Sequence, residues 1–596
     1  MLVEMKEIKT DVLVIGGGGA GARVAIEVAK SGLNSIVVTK GAYTKDGATL
    51  TADMDIDLPS KDAKEVFGLN GDLRDTPESF AADMFEEGKY MNNEEIVFTH
   101  CNNAAKCIKE LADWGMQIMG LTQSPGHRYP RGIISTGRSM VTALKKGTDQ
   151  YKNKIKLLEH TLITDLLKVK GRVVGALGIN IRNGDLLIIK SKAVVLATGG
   201  AMRMYPVTTA PEELTGDGHF MAYQAGAELV DMEFPLFLPA CFYYPESVKG
   251  VDFPYIFSTS VGGWWLNKYG VRFMKNWDHT RMEMGTTRDI ASIAMAMEKL
   301  EDRTGPNGGI YASFKHLPDE ILEYSSKWGA WWRNFVYGQF NLAQFNLDPR
   351  KVSYEVGPAS HYWNGGVKIN GKCETNVPGL YAAGEIQGGT MGANRLSGNA
   401  VTEAVVFGAI AGNSAAEYAK KIPSLEEVDK EQIDTYSKHI CEPITRNDGF
   451  DVYEIRKKIQ EIAFKYAGPV REASGLKECS EEIKQIKSKS ILNQATKFKG
   501  KVYNLEWIQA LENEFMLQVL EITVHASLMR EESRGAMYRR DFPETDNKNW
   551  LKNIIVKKEN NELKLETKPV VVQKIKLPNR EKIAYMLPDW EYEKKA

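Results

Sequence analysis

This sequence predicts an α/β fold centred on a parallel sheet, on the strength of three apolar runs that each break into small residues. The first opens the chain, where residues 11–38 read DVLVIGGGGAGARVAIEVAKSGLNSIVV. Val12 to Ile15 has the branched apolar content of a buried strand, Gly16-x-Gly18-x-x-Gly21 follows, and an alanine-rich helix leads to a second strand from Ser35 to Val38. The second run, KAVVLATGGA at 192–201, ends in Ala197-Thr198-Gly199-Gly200, and the third, VPGLYAAGEI at 377–386, ends in Gly384-Glu385. Small residues after a buried strand suit a backbone that passes close to a ligand.

The spacing of the first run gives that ligand a class. Glycines at 16, 18 and 21 allow a tight turn, close approach to a pyrophosphate and close helix–strand packing. A helix starting there turns its amides and dipole towards the diphosphate. The acidic residue that usually holds a ribose after the second strand is missing, and Thr39-Lys40 stands in its place. That argues against NAD and raises the question of which flavin-type family uses a lysine there; Glu385 supplies the missing ribose acceptor.

Composition closes off other classes. Of 596 residues, 26% are charged and balance to −1, which gives no sign of a nucleic-acid or anionic-membrane partner. No apolar run approaches the roughly 20 residues that span a bilayer. Acids ahead of the first apolar run read against a signal peptide, so a cytoplasmic location is expected. The six cysteines are scattered, and the C-x₅-C of Cys101 and Cys107 is neither a zinc nor an iron–sulfur spacing. Reduced thiols and no metal are expected.

One charge is oddly placed. In MGTTRDIASIAM (284–295) the apolar period predicts a helix from about Ile290, with Thr286 or Thr287 as N-cap. Arg288 then sits in the first turn, where the helix dipole disfavours a cation.

Taken in order, DVLVIGGGGAGARVAIEVAKSG, VTK, VVLATGGAMRMYPVTT, TGDGHFMAYQAGAELVDMEF, GGWWLNKYGVRFM, TTRDIAS, SHYWNGGVKIN, VPGLYAAGEIQGGTMGANRLSGNAV and ESRGAMYRRDFPETDN resemble the flavoprotein subunits of succinate dehydrogenase and fumarate reductase, with L-aspartate oxidase as a relative. The resemblance implies a Rossmann-type FAD-binding domain (1–245 and 356–425) interrupted by an α+β capping domain (246–355). A helical C-terminal domain (426–545) and an extension (546–596), whose alternation reads as an edge hairpin on the outside, complete the chain. FAD contacts are expected at Gly16, Gly18, Gly19, Ala20, Gly21, Thr39, Lys40, Thr44, Gly47, Ala48, Thr49, Ala197, Thr198, Gly199, Asp217, Glu385, Arg395 and Asn399. Arg288 matches the family's proton donor or acceptor opposite the flavin, and His361 and Arg395 match residues that grip a substrate carboxylate. The implied reaction is hydride transfer between flavin N5 and one carbon of a C=C or CH–CH unit, with a proton exchanged at its neighbour.

Departures narrow that reading. Where the family binds a second carboxylate with a histidine and a threonine–glutamate pair, this chain has Leu238, Tyr255 and Ile256. An unpaired carboxylate against such apolar groups costs several kcal/mol. Thr259 and Ile256 replace the arginine and glutamate of the family's proton relay, so protons must arrive by another route. Gly47 stands where some members carry the flavin-linked histidine, and residues 1–99 contain no histidine, so FAD is expected to be noncovalent and the direction reductive. Aromatics crowd the capping region (Trp264, Trp265, Trp277, Trp328, Trp331, Trp332, Phe242, Tyr243, Tyr244); most read as packing or subunit contacts, yet they also fit an apolar or aromatic tail on a substrate. The expected substrate is an unsaturated monocarboxylate such as an enoate or arylacrylate. Electrons would come from a separate iron–sulfur subunit, since the chain offers no cluster ligands. The alternatives are fumarate reductase or L-aspartate oxidase proper, and a non-catalytic electron-relay subunit.

Overall fold

The computed structural model describes residues 4–253, 261–322 and 342–585. Its centre is a five-stranded parallel sheet in the order Leu380–Ala382, Ala193–Leu196, Val12–Ile15, Ser35–Val38, Ile155–Leu158. The inner strands are fully buried and read as continuous Val, Ile and Leu because helices cover a parallel sheet on both faces. Register aligns Ile15 with Val38 and Leu196, and Leu196 with Ala382. All three small-residue runs therefore leave the sheet at one carboxyl edge, the usual place for a ligand. Gly16 makes its turn at φ +115°, and a Cβ there would lie 2.1 Å from the Ala197 carbonyl oxygen. The helix Gly19–Lys30 packs against the helix Asn399–Lys421, whose Gly408 and Gly412 bring the two backbones together; a Cβ at either would sit 2.7 Å from a carbonyl of the first helix.

A second unit caps this edge. Its sheet runs Pro235–Phe242, Tyr354–Trp363, Ile310–Ser313, Trp264–Leu266, and the helix Arg288–Leu300 packs on it. The two long strands bridge two cores: Leu238 and Val356 belong to the apolar cluster of the cap, Phe237 and Trp363 to that of the main sheet. The strands at the expected limits of the capping domain are thus shared by both units. Phe242, Tyr243 and Trp265 fill the cap's core, whereas Trp264 stacks at the surface on His316 with ring centroids 3.7 Å apart. Trp277 meets Tyr538 edge-on. Trp328, Trp331 and Trp332 lie outside the described residues.

Helices Lys430–Thr445, Val452–Ala467, Ala473–Gln485 and Leu505–Met529 follow. The C-terminal extension supplies the expected hairpin at a sheet edge, with Glu562–Pro569 outermost, but its first strand is partly buried. Its hairpin (Lys552–Glu559 and Glu562–Pro569) is present, but the first strand pairs with Leu229–Val230 inside a five-stranded sheet and buries Ile554, Ile555 and Val556. Three consecutive apolar residues need cover on both faces, so it is the second strand, Glu562–Pro569, that forms the exposed edge. Below them lies a buried ionic cluster: Arg530 bonds Glu233 and Glu532, each at 2.8 Å, and Glu532 also takes Arg534 at 2.7 Å.

All six cysteines are free, and five of them are buried. Among the described residues, no group of three or more His, Cys, Asp or Glu side chains is placed to hold a metal. No described helix is long and apolar enough to cross a membrane.

Candidate active site

Arg288 opens the capping helix directly, two residues earlier than the apolar period suggests. Thr287 is its N-cap residue by backbone geometry (φ −77°, ψ 160°), without a capping hydrogen bond from its hydroxyl. The arginine reaches across to the other unit, where its Nη2 donates to Ser397 Oγ at 2.6 Å. Buried Asp289 beside it in the first turn offsets the charge against the dipole.

His361 and Arg395 meet at the same place. Residues Leu236 and Phe237 pair with Tyr362 and Ser360, so His361 is the extra residue of a β-bulge. Bulges re-aim side chains next to functional sites, and this one turns His361 out of the ladder. Arg395 Nη2 lies 3.2 Å from His361 Nε2, and His361 Nδ1 lies 2.8 Å from Thr209 Oγ1. Since guanidinium can only donate, Nε2 accepts and Nδ1–H donates to Thr209. Burial first, then Arg395 and Arg288, push His361 well below its ordinary pKa, which keeps it neutral. Burial and Arg288 bring Arg395 down to about 10. Its guanidinium lies 4.5 Å from the Tyr362 ring centroid, and the buried Nε has no partner. Behind it, burial raises Glu385 to about 8 and Glu403 to about 7. Half-buried Arg288 and buried Arg395 are near enough for one to lower the pKa of the other, an arrangement that favours an incoming anion.

An FAD binding domain family matches residues 11–401, and a fumarate reductase flavoprotein C-terminal family matches residues 456–583. This chain belongs to the FAD-dependent succinate dehydrogenase and fumarate reductase flavoprotein family. It is 34% identical over 580 residues to a component of the fumarate reductase (CoM/CoB) of Methanothermobacter marburgensis, covering 93% of this chain and 98% of that one. A fumarate reductase flavoprotein subunit of Mycobacterium tuberculosis is 30% identical over 592 residues, at 92% and 95% coverage. Among solved structures, Mycobacterium smegmatis Sdh1 in complex with UQ1 superposes with a TM-score of 0.86 at 28% identity, covering 96% of each chain. The protein is accordingly an FAD-dependent oxidoreductase of the fumarate reductase and succinate dehydrogenase type.

The carboxyl edge fits the flavin dinucleotide of this flavoprotein family. Both helices that start there, at Gly19 and at Asn399, lack a side-chain cap and an acid in the first turn, and Gly384 lies between Ala20 of one and Ala404 of the other. Such bare N-termini suit an anion. Buried polar atoms without partners lie along the same edge: Thr198 Oγ1, Trp363 Nε1, Arg395 Nε and Asn399 Nδ2. Each is a group that a bound dinucleotide could satisfy. Gly19 N donates to Thr49 Oγ1 at 3.0 Å, bringing the 44–49 stretch to the glycine turn. Lys40 pairs with Asp217 at 2.9 Å and Glu512 at 2.8 Å, so two expected cofactor residues meet. Glu385 accepts from Trp363 N at 3.0 Å and lies against Gly199 and Gly200.

The expected pocket wall is described only in part. Leu238 is 4% exposed in the cap's apolar cluster, while Tyr255, Ile256 and Thr259 lie outside the described residues. Sequence reasoning missed Ser397 and Thr209, which bond Arg288 and His361, and the buried pair His127 and Asp57 beside Ser397, whose Nε2 and Oδ2 lie 3.4 Å apart. Ser397 was within reach, lying two residues after Arg395 in GANRLSG. The alternation DMDID (53–57) was a visible signal for acids on one face of a strand.

Proposed function

We propose that this flavoprotein reduces the C=C bond of an α,β-unsaturated monocarboxylic acid. The observation that carries the reading is the convergence of Arg288, Arg395 and His361 on one cleft at the cofactor edge. Bound FAD supplies the hydride-transferring ring. Arg395, with its Nε unpartnered, forks onto the substrate carboxylate, and neutral His361 holds the fork in position. Negative charge that develops on the carboxylate side of the double bond is met by this preorganised cation. Arg288 delivers the proton to the α-carbon while the β-carbon takes the hydride. Like charge from Arg395 and the N-terminus of its own helix ease the loss of that proton.

Leu238 supports a substrate without a second carboxylate, since an ionised group against it would be desolvated and unpaired. With reduced viologen as donor, turnover on enoates or arylacrylates is expected to exceed turnover on fumarate; faster turnover on fumarate than on every such acid would overturn the monocarboxylate reading. Fumarate itself is the second reading, favoured by the names of two relatives.

FAD is held without a covalent bond in this reading. Gly47 offers no nucleophile, and nothing lies within 4 Å of where its Cβ would be. Acid precipitation of the purified holoprotein is expected to leave all the yellow colour in the supernatant; flavin retained in the pellet after washing would contradict it. In this reading electrons arrive from a separate iron–sulfur subunit, a reading supported by relatives that are flavoprotein subunits.

A further inference from the structure

A carboxyl group that the reaction above does not use is buried behind Ser397. Asp57 ends the strand Asp53–Asp57, is 0% exposed, and neither of its oxygens has a hydrogen-bond partner. Both oxygens lie against Gly398: a Cβ there would sit 2.3 and 2.4 Å from them. The neighbouring Ser397 carries the hydroxyl that accepts from Arg288. His127 closes the group from the other side. Its Nε2 lies 3.0 Å from the Ser397 carbonyl and 3.4 Å from Asp57 Oδ2, and its Nδ1 takes Arg131 Nη1 at 3.3 Å. Arg131 in turn is held by Asp75 and Asp83. The histidine is thus a neutral ring with its proton on Nε2. Two residues back on the same strand face, half-buried Asp55 bonds the hydroxyl of Ser124, which lies in a stretch with exposed Gln123 and Pro125.

We propose that Asp57 is the proton store for Arg288, with the Ser397 hydroxyl as carrier and Asp55–Ser124 as the outlet to solvent. This rests on the reading of Arg288 as the acid. Once Arg288 has given its proton to carbon, Ser397 passes its hydroxyl proton to the neutral guanidine and is resupplied, across one intervening water, by the Asp57 carboxylic acid, since the two side chains are not directly hydrogen-bonded. The Asp57 carboxylate left behind is reprotonated through Asp55 and Ser124, so one proton enters from water for each one placed on carbon. The charged and titratable groups that face Asp57 are Asp55, Arg131, Arg395, Arg288 and His127. Burial and then Asp55 outweigh the arginines and raise its pKa well above the usual carboxylate range, which favours the protonated form that a store requires. Glu87 is the nearest rival: it too feels Arg288, but Asn394 bonds it at 2.7 Å and Lys89 lies 3.8 Å away.

The test uses the FAD-loaded protein and has a readout that does not depend on turnover. Infrared spectra at neutral pH are expected to contain the carbonyl stretch of a protonated carboxylic acid that disappears in Asp57→Asn and persists in Ser397→Ala. Because Glu385 and Glu403 are raised as well, the band is read in the wild-type minus Asp57→Asn difference spectrum; if no protonated-carboxyl band is lost there, the store does not exist, whatever the substrate proves to be. In steady state, Asp57→Asn and Ser397→Ala are each expected to slow carbon reduction by at least about tenfold. FAD content and reduction of the flavin by dithionite should stay unchanged, and Ser397→Thr should recover activity. Wild-type turnover should fall as pH rises through the Asp57 ionisation, and this limb should vanish in Asp57→Asn. Wild-type rates and pH profiles in both variants, or loss of the limb in Glu87→Gln instead, would overturn the route. Failure of every acid in the panel to reoxidise the reduced protein would instead strike the reading of Arg288, leaving the infrared result to decide Asp57.

Discussion

Replacing Arg288 with glutamine is expected to lower turnover about 10²- to 10⁴-fold, the range that a positioned proton donor contributes. Glutamine is two bonds shorter and gives up the contact that Nη2 makes with Ser397 Oγ, but it leaves the buried apolar face of the capping helix intact, so the packing of that helix should survive. What it lacks is a proton of usable acidity. Because Arg395 remains to clamp the carboxylate, KM should change little while kcat falls, which is the signature of an interaction made only in the transition state. Flavin content and the rate of flavin reduction by an artificial donor serve as controls. A variant that keeps wild-type kcat would remove Arg288 from the chemistry and return the non-catalytic relay subunit to consideration.

Truncation of Arg530 to alanine is expected to destabilise the fold by about 3–5 kcal/mol, the usual cost of breaking a buried ion pair by removing one partner. The side chain is 0% exposed, and it joins Glu233, at the start of the capping region, to Glu532 and to the backbone of Trp550 and Lys552. Its loss leaves Glu233 buried and uncompensated, because Glu233 has no other ion pair among the described residues. The measurement is the denaturant midpoint of the FAD-loaded protein. A double change of Glu233→Leu with Arg530→Met should recover much of the loss, since the stranded charge is removed with its partner. A single variant within about 1 kcal/mol of wild type would mean that water reaches the cluster.

Particular residues mark how far the sequence could be read. The glycine turn at 16–21 and the runs ending at Ala197 and Glu385 were legible because each is a local rule: a strand, a break, a small residue. Arg288 stood out for the same reason, as a cation in the first turn of a helix. Its partner did not. Ser397 lies 109 residues away, and the bond from His127 to Ser397 spans 270. The bulge at His361 is equally invisible in a single strand, because a bulge is a relation between two strands. The C-terminal hairpin was read by its alternation, yet its burial depends on Leu229–Val230, more than 300 positions earlier.

By itself, then, the order of residues determined the dinucleotide turn, the parallel sheet and the identity of the cations, since periodicity and steric need act over a few neighbouring positions. Only the folded chain decided which acid stands behind which arginine, and with it the direction in which the Asp57 and His361 pKa values are pushed. Those shifts follow from loss of water and from charges brought close by distant segments, and neither has a local trace in the chain.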